Sequence, residues 1–203
     1  MFTSTGPLPE RKRPFNLPPF VRYFISDSRP YTERELEQIF KLHSPTIACF
    51  RRVDRGWKEE EGELFLTKTA QLGGIPILHI RNFTPRLLER AGGVHLSSSH
   101  LHLIPKFKEM GKLVIASTHS VDEVERARGA DFITFSPIFD SKGRKGLGVE
   151  VLKEVARLHP YVLALGGIDT PEKVAQIESS PACGFGAIRY FHRGVDTIQK
   201  GRG

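Results

Sequence analysis

From Phe20 onward, short apolar runs rich in Val, Ile, Leu and Phe alternate with longer stretches of mixed polar and apolar character. The runs are Val21 to Ile25, Thr46 to Phe50, Ile75 to Ile80, Gly93 to Leu96, Leu113 to Ala116, Phe132 to Phe135, Val162 to Leu165 and Gly184 to Ile188. Continuous apolar runs of this length predict strands buried on both faces. Between them the pattern predicts helices at Thr32 to Leu42, Glu59 to Leu72, Pro85 to Arg90, His100 to Met110, Val121 to Arg128, Val149 to Leu158 and Pro171 to Glu178. The first begins with a Thr32/Glu35 capping-box pair, and the last follows Thr170-Pro171, a cap followed by proline at the first helical position.

Strands separated by helices pair in parallel through crossovers, and eight such units predict a parallel (β/α)₈ TIM barrel over residues 20–203. A doubly wound open sheet is the alternative architecture, since about 200 residues is the lower edge for a barrel. In a barrel the chemistry sits at the C-terminal ends of the strands. There the fifth run is followed by Ser117-Thr118-His119-Ser120. The sixth is followed by a loop, Ser136 to Gly148, that carries Lys142, Arg144 and Lys145. The seventh is followed by Gly166-Gly167-Ile168-Asp169-Thr170. Three consecutive loops are thus equipped for an anion, with glycines that permit close backbone approach.

Composition sharpens this picture in three ways. The 203 residues include 30 Lys and Arg against 23 Asp and Glu, a formal charge of +7, which favours anionic partners without separating nucleic acid from phosphorylated metabolites. Part of that charge lies in residues 1–19, a basic arm with five prolines and no secretory h-region, in which no aromatic interleaving supports nucleic-acid binding. No apolar run approaches the roughly 20 residues of a membrane span. Cys49 and Cys183 lie in or beside strand-like runs, without metal-ligand spacing, and are expected as reduced buried thiols of a cytoplasmic protein.

The same residues carry a family resemblance. Gly92-Gly93-Val94-His95-Leu96, Ser117-Thr118-His119-Ser120-Val121-Asp122-Glu123-Val124, Gly129-Ala130-Asp131-Phe132-Ile133, Ser136-Pro137-Ile138-Phe139, Lys145-Gly146-Leu147-Gly148 and Ala164-Leu165-Gly166-Gly167-Ile168 resemble the thiamine phosphate synthase and TenI (thiazole tautomerase) superfamily over residues 92–188. The resemblance implies a TIM barrel, a role in thiamine biosynthesis and a small phosphorylated thiazole as ligand. It also implies, for the synthase branch, two aspartates that hold magnesium for a pyrophosphate leaving group. Their places here are occupied by Arg81 and His100, and the Pro-Thr-x-Thr of the sixth loop is replaced by Asp140-Ser141-Lys142-Gly143. A guanidinium repels the hard cation that carboxylates would hold. The chain therefore leans to the TenI-like branch, whose aromatising proton shift needs neither metal nor cofactor.

Proton transfer to and from carbon near neutral pH suits a histidine, whose reference pKa is about 6.5. By position and by resemblance the catalytic candidate is His119. Arg51, Ser117, Lys142, Lys145, Gly166, Gly167 and Arg189 are the substrate-binding candidates, Arg51 for a carboxylate and Arg189 at the place where relatives use a Ser-Gly pair for phosphate. Arg52, Arg55 and Arg81 compete with Arg51 for the pocket. Ser120 reads as a helix cap and His95 as an interior histidine, while His43, His79, His159 and His192 have no motif around them. His100 and His102, at i and i+2, do not share a helix face. No metal, nucleic-acid partner or membrane is expected, and a homodimer is possible. Thiamine phosphate synthase and a non-catalytic, regulatory phosphate-binding barrel are the competing functions.

Overall fold

A computed structural model describes residues 16–196. Eight strands, β1 (Val21–Ile25), β2 (Ile47–Phe50), β3 (Ile75–His79), β4 (Gly93–Leu96), β5 (Leu113–Thr118), β6 (Phe132–Phe135), β7 (Val162–Leu165) and β8 (Gly184–Ala187), form a closed barrel in chain order. Each pairs in parallel with the next, and β8 closes on β1 through Val21↔Gly184 and Tyr23↔Gly186. The open sheet is thereby excluded.

Alternation along each strand divides the apolar residues into two cores. Side chains of one parity fill the barrel: Val21, Tyr23, Ile25, Ile47, Cys49, Ile77, Leu113, Ile115, Phe132 and Leu163. The other parity faces the helices, where Phe24, Leu78, Val114, Ile133 and Ala164 join their apolar stripes. Each buried Val, Leu, Ile or Phe among them contributes roughly 1.5–3 kcal/mol of transfer free energy. Gly186 makes room for the largest interior residue: a Cβ there would lie 2.5 Å from Leu165 Cδ1 and 3.1 Å from Tyr23 Cδ1.

Among the described residues seven α-helices cover the outside: α1 (Glu33–His43), α2 (Glu59–Gln71), α3 (Pro85–Arg90), α4 (Ile104–Glu109), α5 (Val121–Arg126), α6 (Val151–Leu158) and α7 (Pro171–Glu178). The Thr32/Glu35 box is formed in both directions, and Thr84, Ser120 and Thr170 cap α3, α5 and α7 through their hydroxyls. After β8, among the described residues, the chain makes a 3₁₀ turn, Arg189–His192, which docks on α1.

Four expectations need correction. Ser117 and Thr118 belong to β5, where the Thr118 hydroxyl donates to Thr134 O at 2.8 Å, and not to the loop beyond it. The helix expected over His100 to Met110 divides into a 3₁₀ segment, Ser98–Leu103, and α4: His100 has φ −115°, and Pro105 sits in the first turn of α4, where its missing N–H costs nothing. Leu17 packs against the barrel interior, so the packed unit starts before Phe20; residues 1–15 of the arm lie outside the described residues. Cys183 is half-buried, whereas Cys49 is fully buried. No described helix is long and apolar enough to cross a membrane.

Candidate active site

The C-terminal ends of the strands surround a cavity of about 860 Å³. Arg51, Ser117, His119, Lys142, Gly166, Gly167 and Arg189, all expected from the sequence, line it. Lys145 does not. The sixth loop forms a tight turn at Ser141 to Arg144, closed by paired Ser141 N–H and Arg144 N–H bonds across it, which presents Lys142 and Arg144 to the cavity. It then returns to the scaffold through Gly146 N–H to Asp140 Oδ1 and Leu147 N–H to Pro137 O, leaving Lys145 outside the mouth and exposed.

Arg51 and Arg52 point to different jobs. Ser26, at the top of β1, clamps the backbone of Arg51 by accepting from its N–H at 2.8 Å and donating to its carbonyl at 3.0 Å, and the Arg51 side chain lines the cavity. Arg52 turns the other way. Its buried guanidinium donates twice to Asp54, at 2.8 and 2.9 Å, and pairs with Glu61, while its backbone exchanges two bonds with Asn82. The contacts with Asp54 first, and the Glu61 charge with them, raise the Arg52 pKa further.

His119 directly follows β5. Its backbone N–H donates to Glu123 Oε2 at 2.7 Å, and its Nδ1 lies 3.0 Å from the same oxygen. The ring thus has one nitrogen held by a carboxylate from the first turn of α5, and the residue lines the cavity.

The interior wall is built on two histidines, His95 and His79. His95 bridges Tyr23 OH at 2.7 Å through Nδ1 and Ser117 Oγ at 2.8 Å through Nε2. It is an interior histidine, as expected, yet it also lines the cavity and fixes Ser117. His79 stands beside it with ring centroids 5.1 Å apart, and Arg81 joins Arg51 at the mouth. Burial first, then the neighbouring cations, pushes His79 down to about 3, and burial holds His95 well below the usual imidazole value. Both rings are neutral at physiological pH. Parity was the signal that could have found His79: Ile75, Ile77 and His79 share the inward face of β3, and the last of them reaches the strand end.

On the opposite side, Gly166 and Gly167 take φ of +98° and +67° and lie directly on the sixth loop. A Cβ at Gly167 would sit 2.6 Å from Asp140 O. Ile138 N–H to Leu165 O and Phe139 N–H to Gly166 O tie the two loops together. The N–H groups of Gly167, Ile168, Ile188 and Arg189 have no partner among the described residues, so they remain donors at this edge. Arg189 is largely exposed and sits 3.6 Å from Asp169, whose carboxyl is held low first by its hydrogen bond from Lys173 and further by both cations.

The lining therefore holds five cationic side chains, Arg51, Arg81, Lys142, Arg144 and Arg189, and no carboxylate among the described residues. Such a donor set suits an anionic ligand and does not fit magnesium, which needs hard oxygen ligands. At the two places of the family's metal aspartates, Arg81 faces the cavity and His100 Nδ1 is engaged by Ser97 Oγ at 2.6 Å and Ser99 Oγ at 3.0 Å.

Comparison with known proteins gives concordant results. The family model described as thiamine monophosphate synthase (TMP-TENI) matches residues 65–190. The "Putative thiamine-phosphate synthase 2" of Aquifex aeolicus is 30% identical over 180 residues, covering 83% of this chain and 96% of that protein. Among solved structures, a thiamine phosphate pyrophosphorylase from Pyrococcus furiosus superimposes with a TM-score of 0.67 at 19% identity, over 83% of this chain and 85% of that one. One from Bacteroides thetaiotaomicron gives 0.61 at 18% identity, over 90% and 89%. At these identities the two structures speak to the fold.

Proposed function

The chain belongs to the thiamine monophosphate synthase and TenI family of thiamine biosynthesis, and from that premise we propose that it acts as a metal-independent thiazole phosphate tautomerase. The observation that carries this reading is the carboxylate-held His119 beside a cavity lined by cations, with no carboxylate among the described lining residues. The substrate class is a carboxythiazole phosphate tautomer with an exocyclic double bond. His119 takes the proton from the ring carbon, the electron pair closes the aromatic system, and the same imidazole returns a proton to the exocyclic carbon. Nothing is gained or lost overall, and one imidazole serves both steps.

The remaining residues bind and orient. Lys142, Arg144 and Arg189, with the unpartnered N–H groups of Gly167, Ile168 and Ile188, receive the phosphate. Arg51 and Arg81 form a second cationic pole for the carboxylate. Glu123 keeps His119 Nδ1 engaged so that the other ring nitrogen does the chemistry, and it stabilises the imidazolium formed midway.

The deciding experiment follows absorbance as the tautomer aromatises in the presence of the protein and a chelator. Turnover supports the proposal. Thiamine phosphate formed from the pyrimidine pyrophosphate, thiazole phosphate and Mg²⁺ would make the chain a synthase instead, and binding of the phosphate without either reaction would make it a regulatory barrel.

A further inference from the structure

The two poles of the cavity differ in one respect that charge alone does not explain. The β6–β8 side offers lysine, arginine and backbone N–H groups, whereas the β2–β3 side offers two arginines and a buried imidazole, His79. Extending the register Phe50↔Leu78 by one residue sets Arg51 beside His79, and His79 in turn pairs with His95.

The tautomer of His79 is fixed by its surroundings. Its Nδ1 accepts from the backbone N–H of Arg81 at 3.2 Å, and a backbone N–H can only donate. The proton of the neutral ring must therefore be on Nε2. That atom has no hydrogen-bond partner among the described residues, yet it is not sealed off: the only described side-chain polar atoms buried without a partner are the Thr69 and Thr134 hydroxyls. Since His79 lines the cavity and is only 8% exposed in all, its free N–H opens into the cavity.

We propose that His79 reads a carboxylate on the ligand, its Nε2–H donating to the carboxylate that Arg51 and Arg81 attract, so that the β2–β3 side is a carboxylate subsite distinct from the phosphate side. This assignment rests on the tautomerase reading and adds to it the residue that sets substrate class. Arg51, Arg81 and His100 all disfavour a second proton on the ring, so the donor keeps its form across the physiological range. A donor fixed in advance gains strength as charge develops opposite it. Breaking the ring C–H beside a carboxylate places part of the freed electron pair on the carboxylate oxygens, which is where Nε2–H would sit.

The test is calorimetric titration of the full-length protein with two aromatic ligands that differ by one group, carboxythiazole phosphate and the same thiazole phosphate without its carboxylate. The wild type is expected to bind the first about tenfold more tightly. His79→Leu should bring the two to near equality while leaving the affinity for the second unchanged; His79→Gln, whose amide nitrogen reaches a similar place, should restore part of the preference. A second measurement needs no variant: with ¹⁵N-labelled histidine, the His79 ring should show the Nε2–H form, with a proton resonance that moves downfield on adding the carboxylated ligand only. Retention of the preference in His79→Leu, or an Nδ1–H signature, overturns the role of His79. Equal wild-type binding of both ligands overturns the carboxylate subsite, and binding of neither overturns the tautomerase reading itself.

Discussion

Glu123 Oε2 receives the backbone N–H of His119 at 2.7 Å and lies 3.0 Å from its Nδ1, so one carboxylate fixes both the peptide and the ring of the residue that leaves β5. The geometry has a local cause. Ser120 caps α5 by accepting from Glu123 N–H, but the Glu123 side chain, in place of the reciprocal bond to the cap N–H, accepts from the residue before it. A helix cap thereby becomes the support of a candidate acid/base.

This relationship predicts a graded pair of variants. His119→Asn keeps a hydrogen-bonding side chain but cannot titrate, so tautomerisation should fall by about 10² to 10⁴ while phosphate affinity and thermal midpoint stay close to wild type. Glu123→Gln keeps an acceptor and loses the charge that stabilises the imidazolium, and should cost about tenfold in turnover. Absorbance kinetics on the three proteins at equal concentration measure both. A Glu123→Gln variant as fast as wild type would reduce the carboxylate to a helix cap.

A second prediction separates two adjacent arginines. Arg51→Ala removes a cation from the mouth whose side chain supports nothing else, so stability should change by less than about 0.5 kcal/mol while anion affinity falls about tenfold. Arg52→Ala leaves Asp54 and Glu61 without their partner under α2, and since both acids are only partly buried the cost is about 1–3 kcal/mol. Urea unfolding and titration with carboxythiazole phosphate on both variants should give opposite patterns.

The barrel was legible because both-face-buried strands leave continuous apolar runs that no surface strand would show; all eight runs contain a strand, with ends displaced by a residue or two, as at Ile47 and Thr118. The rim was legible where glycine and charge stand together, as at Gly166, Gly167 and Lys142. What escaped is what depends on the closed geometry. His79 has no sequence neighbours that mark it, and it becomes a cavity residue only because β3 places it on the inward face at the strand end. Lys145 carries the same charge as Lys142, but the hairpin ends at Arg144 and the chain turns back before it. His100 belongs to a 3₁₀ segment, and a new helix starts at Ile104 with Pro105 in its first turn.

The buried histidines predict how stability depends on pH. With His79 lowered to about 3 and His95 also lowered, the unfolded chain binds more protons than the folded one below the ordinary histidine pKa. Their contribution is complete above about pH 6.5 and is lost as pH falls, by up to about 2 kcal/mol per histidine between pH 7 and 5. The lowered carboxylates of Glu35, Asp54 and Asp169 act below that window. Urea midpoints at pH 7 and 5 should therefore diverge, and the difference should be smaller in His79→Gln. Equal pH sensitivity in both proteins would mean that His79 is protonated in the fold.

Two glycines with nearly the same backbone angle should respond differently to alanine. Gly143, at φ +72°, has nothing within 4 Å of a built Cβ, so Gly143→Ala meets only the left-handed strain of roughly 1 kcal/mol. Gly167, at φ +67°, would put the same methyl 2.6 Å from Asp140 O and 2.9 Å from Phe139 Cβ. Since those atoms are held by bonds between the sixth and seventh loops, they yield only if the loop that carries Lys142 and Arg144 moves. Gly167→Ala should thus cost about 2–3 kcal/mol and also weaken phosphate binding, whereas Gly143→Ala should leave binding within a factor of about two. Thermal melts with and without added inorganic phosphate give both quantities, because at a fixed anion concentration the rise in midpoint grows with the logarithm of its affinity. If the two variants lose the phosphate-dependent shift equally, loop docking at Gly167 does not position the cations.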